Sequence, residues 1–208
     1  METSLLLSKS GYHVIAVSRN IESLKTLESD NIDIFQLDIT DFESIDMFYN
    51  KYKDIVLDLL VNNAGGGASP SPIINETPRN FNYAFSLNVT GPMYLSKLFT
   101  NNMSISDNPT IIFVSSLGGK FPYRGGGNYT NAKRALGGLV DTMRLEYPQY
   151  GIKITEICPG TIDTVEGESR DIAITARDMA ETIKWVAECP SHMNINYIEL
   201  NHIKSDKF

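Results

Sequence analysis

The feature that most constrains the fold is an alternation. Six short apolar runs, His13–Val17, Ile32–Leu37, Val56–Val61, Thr110–Ser115, Ile152–Cys158 and Asn194–Leu200, are separated by stretches with helical spacing. Several runs are apolar at nearly every position, as parallel strands covered on both faces are. The helical stretches carry start signals. Thr40-Asp41-Phe42-Glu43 reads as a capping box. Thr77-Pro78 places a cap and then proline at the first helical position. Thr175 opens a segment with Met179, Ile183 and Val186 on one side and Pro190 beyond its end. This alternation predicts an α/β fold, a doubly wound parallel sheet with helices on both faces. With 208 residues, the chain is read as one domain spanning 1–208.

Composition narrows the function classes. Eighteen Lys and Arg against 25 Asp and Glu give a net charge of −7. No basic run offsets it, so neither nucleic acid nor an anionic membrane surface is an expected partner. The apolar runs are far shorter than the ~20 residues of a membrane span. The opening Met1-Glu2-Thr3-Ser4 is too acidic for a signal peptide. Cys158 and Cys189 form no disulfide framework and suit a reducing cytoplasm. The three histidines, His13, His192 and His202, lack ligand spacing, so no metal site is expected.

Several segments carry candidate chemistry. Tyr129 and Lys133 stand four residues apart in a helical pattern, so phenol and ammonium can line one cleft. Ser116 follows a buried strand, and strand carboxyl ends are where open α/β sheets bind ligands. There it can donate to a substrate oxygen or simply cap a turn. Asn62-Asn63-Ala64-Gly65 ends another apolar strand with small residues that let a ligand approach the backbone. Asp38 ends a third, as a hydrogen-bond acceptor for a base or as a cap before Thr40. Pro92 lacks an amide hydrogen, so a helix running from Pro78 to about Phe99 would leave the Asn88 carbonyl free. Cys158-Pro159-Gly160-Thr161-Ile162-Asp163-Thr164 turns over the strand ends, where backbone amides and the Thr164 hydroxyl can hold an amide-bearing ring. Arg19, just past a strand with Ser18, offers a guanidinium for a phosphate.

Taken in order, these segments resemble the short-chain dehydrogenase/reductase family, from Thr3 to about Leu200. The run from Pro190 to Leu200 is similar to the branch of NADP-dependent 3-hydroxy acid (serine/allothreonine-type) dehydrogenases. The resemblance implies a Rossmann-like sheet and an oxidoreductase moving a hydride between NADP(H) and a carbonyl/alcohol pair. It implies Tyr129 as general acid/base, with Lys133 lowering its pKa and bonding the nicotinamide ribose. Ser116 would orient the substrate oxygen, and the Asn88 carbonyl would hold a relaying water. Ser18, Arg19, Asp38, Ile39, Asn63 and Ala64 would contact the adenosine half, with Arg19 favouring NADP over NAD. Pro159, Gly160, Ile162 and Thr164 would seat the nicotinamide. Arg124 could pair with a substrate carboxylate, although solvent exposure is the plainer reading. The substrate is a small molecule, and a homodimer or homotetramer is implied.

The sequence departs from that family at its start. No Gly-x-Gly-x-x-Gly turn occurs, and the family's first strand has no counterpart. In this topology the strand would lie between those matching His13–Val17 and Val56–Val61. Its absence predicts two unpaired central edges, or two strands drawn together across roughly twice the ~4.8 Å strand spacing. A truncated start, a start further upstream and an inert remnant unable to hold a dinucleotide are the corresponding alternatives. The segment Val165–Ile174 is shorter than the family's substrate lid, which predicts weaker shielding from water.

Overall fold

The computed structural model describes residues 1–67, 71–163 and 172–205. Helix α1 (Glu2–Lys9) leads into β1 (Val14–Ser18), a 3-10 turn at Ile21–Leu24, β2 (Ile32–Gln36) and α2 (Phe42–Tyr52). Strand β3 (Leu59–Asn62) precedes a second 3-10 turn at Ile73–Asn75, then α3 (Pro78–Phe85), a π-helical turn at Ser86–Thr90, α4 (Gly91–Leu98) and α5 (Thr100–Ser104). Then come β4 (Thr110–Val114), α6 (Leu117–Lys120), α7 (Gly127–Glu146) and a third 3-10 turn at Tyr147–Tyr150. The chain continues with β5 (Lys153–Pro159), β6 (Ile162–Asp163), β7 (Ile174–Thr175), α8 (Ala176–Ala187) and β8 (Tyr197–Leu200).

All named strand pairs are parallel, but the main sheet is not continuous. Strands β1 and β2 form one ladder, and β3, β4, β5 and β8 form another in that order. Among the described strands, β1 has only β2 as a partner and β3 only β4. The two unpaired edges expected from the sequence are therefore present. Burial tells the same story. Every residue of β4 and β5 is buried, whereas Val17 of β1 is 41% exposed.

Side-chain packing joins what the backbone does not. Beneath the sheets, Phe48 of α2, Leu95 of α4, Phe99 and Leu87 form a cluster with Ile15 of β1, Phe35 of β2 and Leu60 of β3. Phe35, Phe48 and Phe99 stack in tilted pairs. Helix α7 covers the larger sheet through Leu136, Val140 and Met143 against Ile111 and Phe113. On the opposite face α8 places Met179, Ile183 and Val186 over Ile112 and Ile157. Leu5 of α1 packs on Ala16 and Ile32, and α1 lies against α8. Burying each of the larger side chains contributes about 1.5–3 kcal/mol.

Local signals explain most boundaries. Thr77 accepts from the Asn80 amide and Pro78 opens α3, while Thr175 and Asp178 close a full capping box on α8. At α2 the cap is Asp41, accepting from the Glu43 amide, rather than Thr40. Thr40 is instead held by Asp38. The segment from Pro78 to Phe99 is not one kinked helix. The Gly91 amide bonds to the Ser86 carbonyl, five residues back, which makes a π-helical turn at Asn88. Strand β8 begins at Tyr197, later than expected. The Asn194 side chain takes a strand's place before it, accepting from the Ile154 amide at 2.7 Å and donating to its carbonyl at 3.1 Å.

Candidate active site

The candidate groups meet at the carboxyl ends of β3, β4 and β5. Ser116 lies two residues past β4 and caps α6, its Oγ accepting from the Gly118 amide at 3.0 Å. The same side chain lies near enough to the Tyr129 phenol to favour its ionised form. A Cβ added to Gly118 would lie 3.3 Å from Ser116 Oγ and 3.7 Å from the Tyr129 ring, so both groups border one small space. Tyr129 sits in the first turn of α7. Burial, then a neighbouring Tyr123, raise its pKa above the ordinary phenol range, against the lowering effect of Ser116. The phenol is therefore protonated at neutral pH.

One turn further on, Lys133 is 4% exposed. Its Nζ donates to the Val114 carbonyl at 2.8 Å and lies 5.9 Å from the Tyr129 ring centre. Desolvation lowers its pKa to about 8, against the raising effect of Glu156 and Cys158. The expected pull of Lys133 on the phenol is not among the causes acting on Tyr129; burial dominates there. Cys158 has its pKa pushed up to about 12 by burial and by Glu156, so it stays a neutral thiol.

The loop after β3 closes the site. Asn88, 1% exposed in the π-helical turn, donates from Nδ2 to the Gly66 and Ala84 carbonyls and accepts from the Gly66 amide. Its side chain therefore clamps residues 65–67, a role the sequence did not suggest. A Cβ on Gly65 would stand 2.8 Å from Lys133 Nζ and 3.0 Å from Asn88 Oδ1, so glycine keeps the approach to Lys133 open. Asn63 and Ala64 are exposed on this loop, while Asn62 is turned inward onto Ser96.

The smaller ladder carries the second group of residues. Arg19 donates to the Tyr83 hydroxyl at 3.0 Å. Ser18 Oγ accepts from the Asn20 amide. Asp38 Oδ1 accepts from both the amide and hydroxyl of Thr40. Burial alone would raise the Asp38 pKa, but those two bonds and the charge of Arg19 bring it below the usual carboxylate range. The capping reading of Asp38 is thus satisfied through one oxygen. Ile39 is buried, and its carbonyl lies where a Cβ on Gly91 would be.

At the far side, Pro159 ends β5, the Gly160 amide bonds to Leu200, and Ile162 pairs with Ile174. Thr164 and most of the segment 165–174 lie outside the described residues. Arg124 is exposed on the loop between α6 and α7. A cleft of about 250 Å³ lies between that loop and the one after β3, lined by Gly66, Gly67, Tyr123, Gly126, Asn128 and Tyr129 among others. Tyr123 and Asn128 were missed in the sequence; the one signal for Asn128 is its place just before Tyr129.

Comparison with known proteins gives a consistent picture. A family model described as short chain dehydrogenase matches residues 1–173. The NADP-dependent 3-hydroxy acid dehydrogenase YdfG of Escherichia coli K12 is 26% identical over 212 residues, covering 92% of this chain and 86% of the relative. Serine 3-dehydrogenase of Rhizobium radiobacter is 30% identical over 213 residues, covering 92% and 84%. The crystal structure of serine dehydrogenase from Escherichia coli superposes with a TM-score of 0.86 at 26% identity, covering 98% of this chain and 93% of that one.

Proposed function

The chain belongs to the short-chain dehydrogenase family, and from that premise we propose that it is an NADP(H)-dependent oxidoreductase acting on a small 3-hydroxy acid and its carbonyl counterpart. The observation that carries this reading is the convergence of Tyr129, Ser116 and Lys133 beside the open backbone of Gly65. The relatives named NADP-dependent 3-hydroxy acid dehydrogenase and serine 3-dehydrogenase support the cofactor and the substrate class.

The residues present suit a dinucleotide at both ends. Arg19 and Asp38 sit together at the tips of β1 and β2, where a guanidinium meets a 2′-phosphate and a carboxylate meets a base amine. Glycine at 65 leaves room beside Lys133 for a ribose. Pro159, Gly160 and Ile162 offer backbone over the strand ends for the nicotinamide amide. When bound, the cofactor supplies the hydride.

The protein's own part is proton management and placement. The protonated Tyr129 phenol donates to the substrate oxygen in reduction and takes the proton back in oxidation. Ser116, bordering the same small space as that phenol, holds the same oxygen in line. Lys133, cationic below about pH 8, stands beside Gly65, where it can donate to a ribose hydroxyl. Asn88 holds the 65–67 loop so that Lys133 stays accessible from one side.

A homo-oligomer belongs to the same reading, with Leu145 of α7 85% exposed and Trp185 of α8 57% exposed. So does a cytoplasmic location, with both cysteines free and buried. The inert-remnant alternative has no supporting observation. The test is Tyr129→Phe. NADPH, titrated by its fluorescence, should bind as in the parent protein, while turnover of 3-hydroxypropanoate falls by at least about 100-fold. Unchanged turnover removes Tyr129 from its role, and no saturable NADPH binding by the parent removes the cofactor assignment.

A further inference from the structure

A buried, unpartnered acceptor belongs to a residue that lines the cleft beside Tyr129. Asn128, the second residue of α7, is 2% exposed. Its Nδ2 donates to Glu76 Oε1 at 2.6 Å, and the other Glu76 oxygen accepts from Asn80 at 3.2 Å. A carboxylate can only accept hydrogen bonds, so Glu76 fixes which end of the amide faces it. The Asn128 Oδ1 must then point away from Glu76, and there it has no hydrogen-bond partner. A buried acceptor in that state is costly, and native structures keep few of them without a reason.

Its direction is set by Gly67. A Cβ on Gly67 would collide with Asn128 Oδ1 and come within 3.1 Å of the Tyr129 Cβ. Only glycine lets the chain pass so close to that oxygen. Gly67, Asn128 and Tyr129 all line the 250 Å³ cleft. The residues bearing the acceptor and the phenol are thus adjacent in the wall of one space. The carboxylate behind the amide polarises it, which strengthens Oδ1 as an acceptor.

We propose that Asn128, oriented by Glu76, is a specificity residue that accepts a hydrogen bond from an ammonium or hydroxyl group on the substrate carbon next to the reacting one. This rests on the oxidoreductase reading above and deepens it. Substrates carrying such a donor satisfy Oδ1, and substrates lacking it leave Oδ1 buried and unmet. Glu76 acts as a positioning residue, since it touches the amide and not the substrate.

Three compounds isolate the group: serine, glycerate and 3-hydroxypropanoate, which differ at the second carbon by an amine, a hydroxyl or a hydrogen. The full chain with NADP should prefer serine, glycerate or both over 3-hydroxypropanoate by about tenfold or more in kcat/KM. Which of the two is preferred tells ammonium from hydroxyl. In Asn128→Leu the ratio should fall to near one. In Glu76→Gln it should fall part of the way, because a glutamine amide can donate to Oδ1 and turn the asparagine over. A parent protein without preference, or an Asn128→Leu variant that keeps it, overturns the proposal.

A binding measurement separates this from the broader reading and serves if Asn128→Leu fails to fold. The Asn128 side-chain amide resonance, followed by 15N NMR in the parent protein, should shift with serine or glycerate and not with 3-hydroxypropanoate. If it shifts but nothing turns over, Asn128 stands and the reaction assignment falls. If it does not shift while 3-hydroxypropanoate is turned over, Asn128 falls and the reaction stands.

Discussion

The Lys133 ammonium is tied to the Val114 carbonyl at 2.8 Å, so helix α7 is anchored to the tip of strand β4 by a buried cation. The anchoring has a cost that titrates, and other contacts of the site lead to equally direct expectations.

Burial holds the Lys133 pKa near 8, below the 10.5 of a free lysine. The folded state therefore binds fewer protons than the unfolded state between those values, and stability rises with pH across that window. Below about pH 8 the charged group is destabilising by on the order of 3 kcal/mol. Lys133→Met should be more stable relative to the parent at pH 7 than at pH 10, measured by urea unfolding. A difference independent of pH would mean that the ammonium is better solvated than its surroundings indicate.

Ser116 caps α6 and stands beside the Tyr129 phenol, where the proposed reaction uses its hydroxyl as a donor. Ser116→Ala should lose about 1 kcal/mol of stability through the cap. Its kcat should drop by roughly ten- to a hundredfold through the lost donor. Ser116→Asp keeps an Ncap acceptor but has no hydroxyl donor, so it should recover the stability and not the turnover. Recovery of both would show that only the cap mattered.

Arg19 donates to the Tyr83 hydroxyl, and the proposed function sets its guanidinium against the 2′-phosphate of NADP. Arg19→Ala should weaken NADPH binding about tenfold or more and leave NADH binding nearly unchanged, read by fluorescence titration. Equal losses for both cofactors would move the guanidinium away from the 2′-phosphate.

Gly91 approaches the Ile39 backbone so closely that a methyl group would run into its carbonyl oxygen. Both sides of the contact are main chain, so neither can swing aside. Gly91→Ala should cost about 2 kcal/mol or more and lower the thermal midpoint by ~4–8 °C. An unchanged midpoint would show that the π-helical turn at Ser86–Thr90 relaxes freely.

Much of this was readable before any coordinates. The strands declared themselves because buried parallel strands need apolar side chains on both faces, as at Ile111, Ile112 and Phe113. Thr77 and Thr175 announced their helices through local capping chemistry. Helical spacing set Tyr129 and Lys133 one turn apart and a strand tip carried Ser116, but only the family resemblance joined the three into one site. What escaped were the features that depend on distant partners. Asn128 meets Glu76 across 52 positions in the chain, with no periodic pattern to link them. Pro92 signalled an irregular helix, but the form it takes depends on Gly91 pressing against Ile39. Thr40 looked like a cap because its own neighbours fit, yet Asp38 claims its hydroxyl and Asp41 takes the position.

The interrupted sheet has a mechanical corollary. No described backbone ladder crosses from β1 to β3, so the halves bearing Arg19 and Lys133 are coupled through interleaved aromatic rings, helix contacts and side-chain hydrogen bonds such as that from Arg19 to Tyr83. A ligand long enough to grip both Arg19 and Lys133 would act as a crossbeam, and its arrival would stiffen the molecule as much as it fills a site.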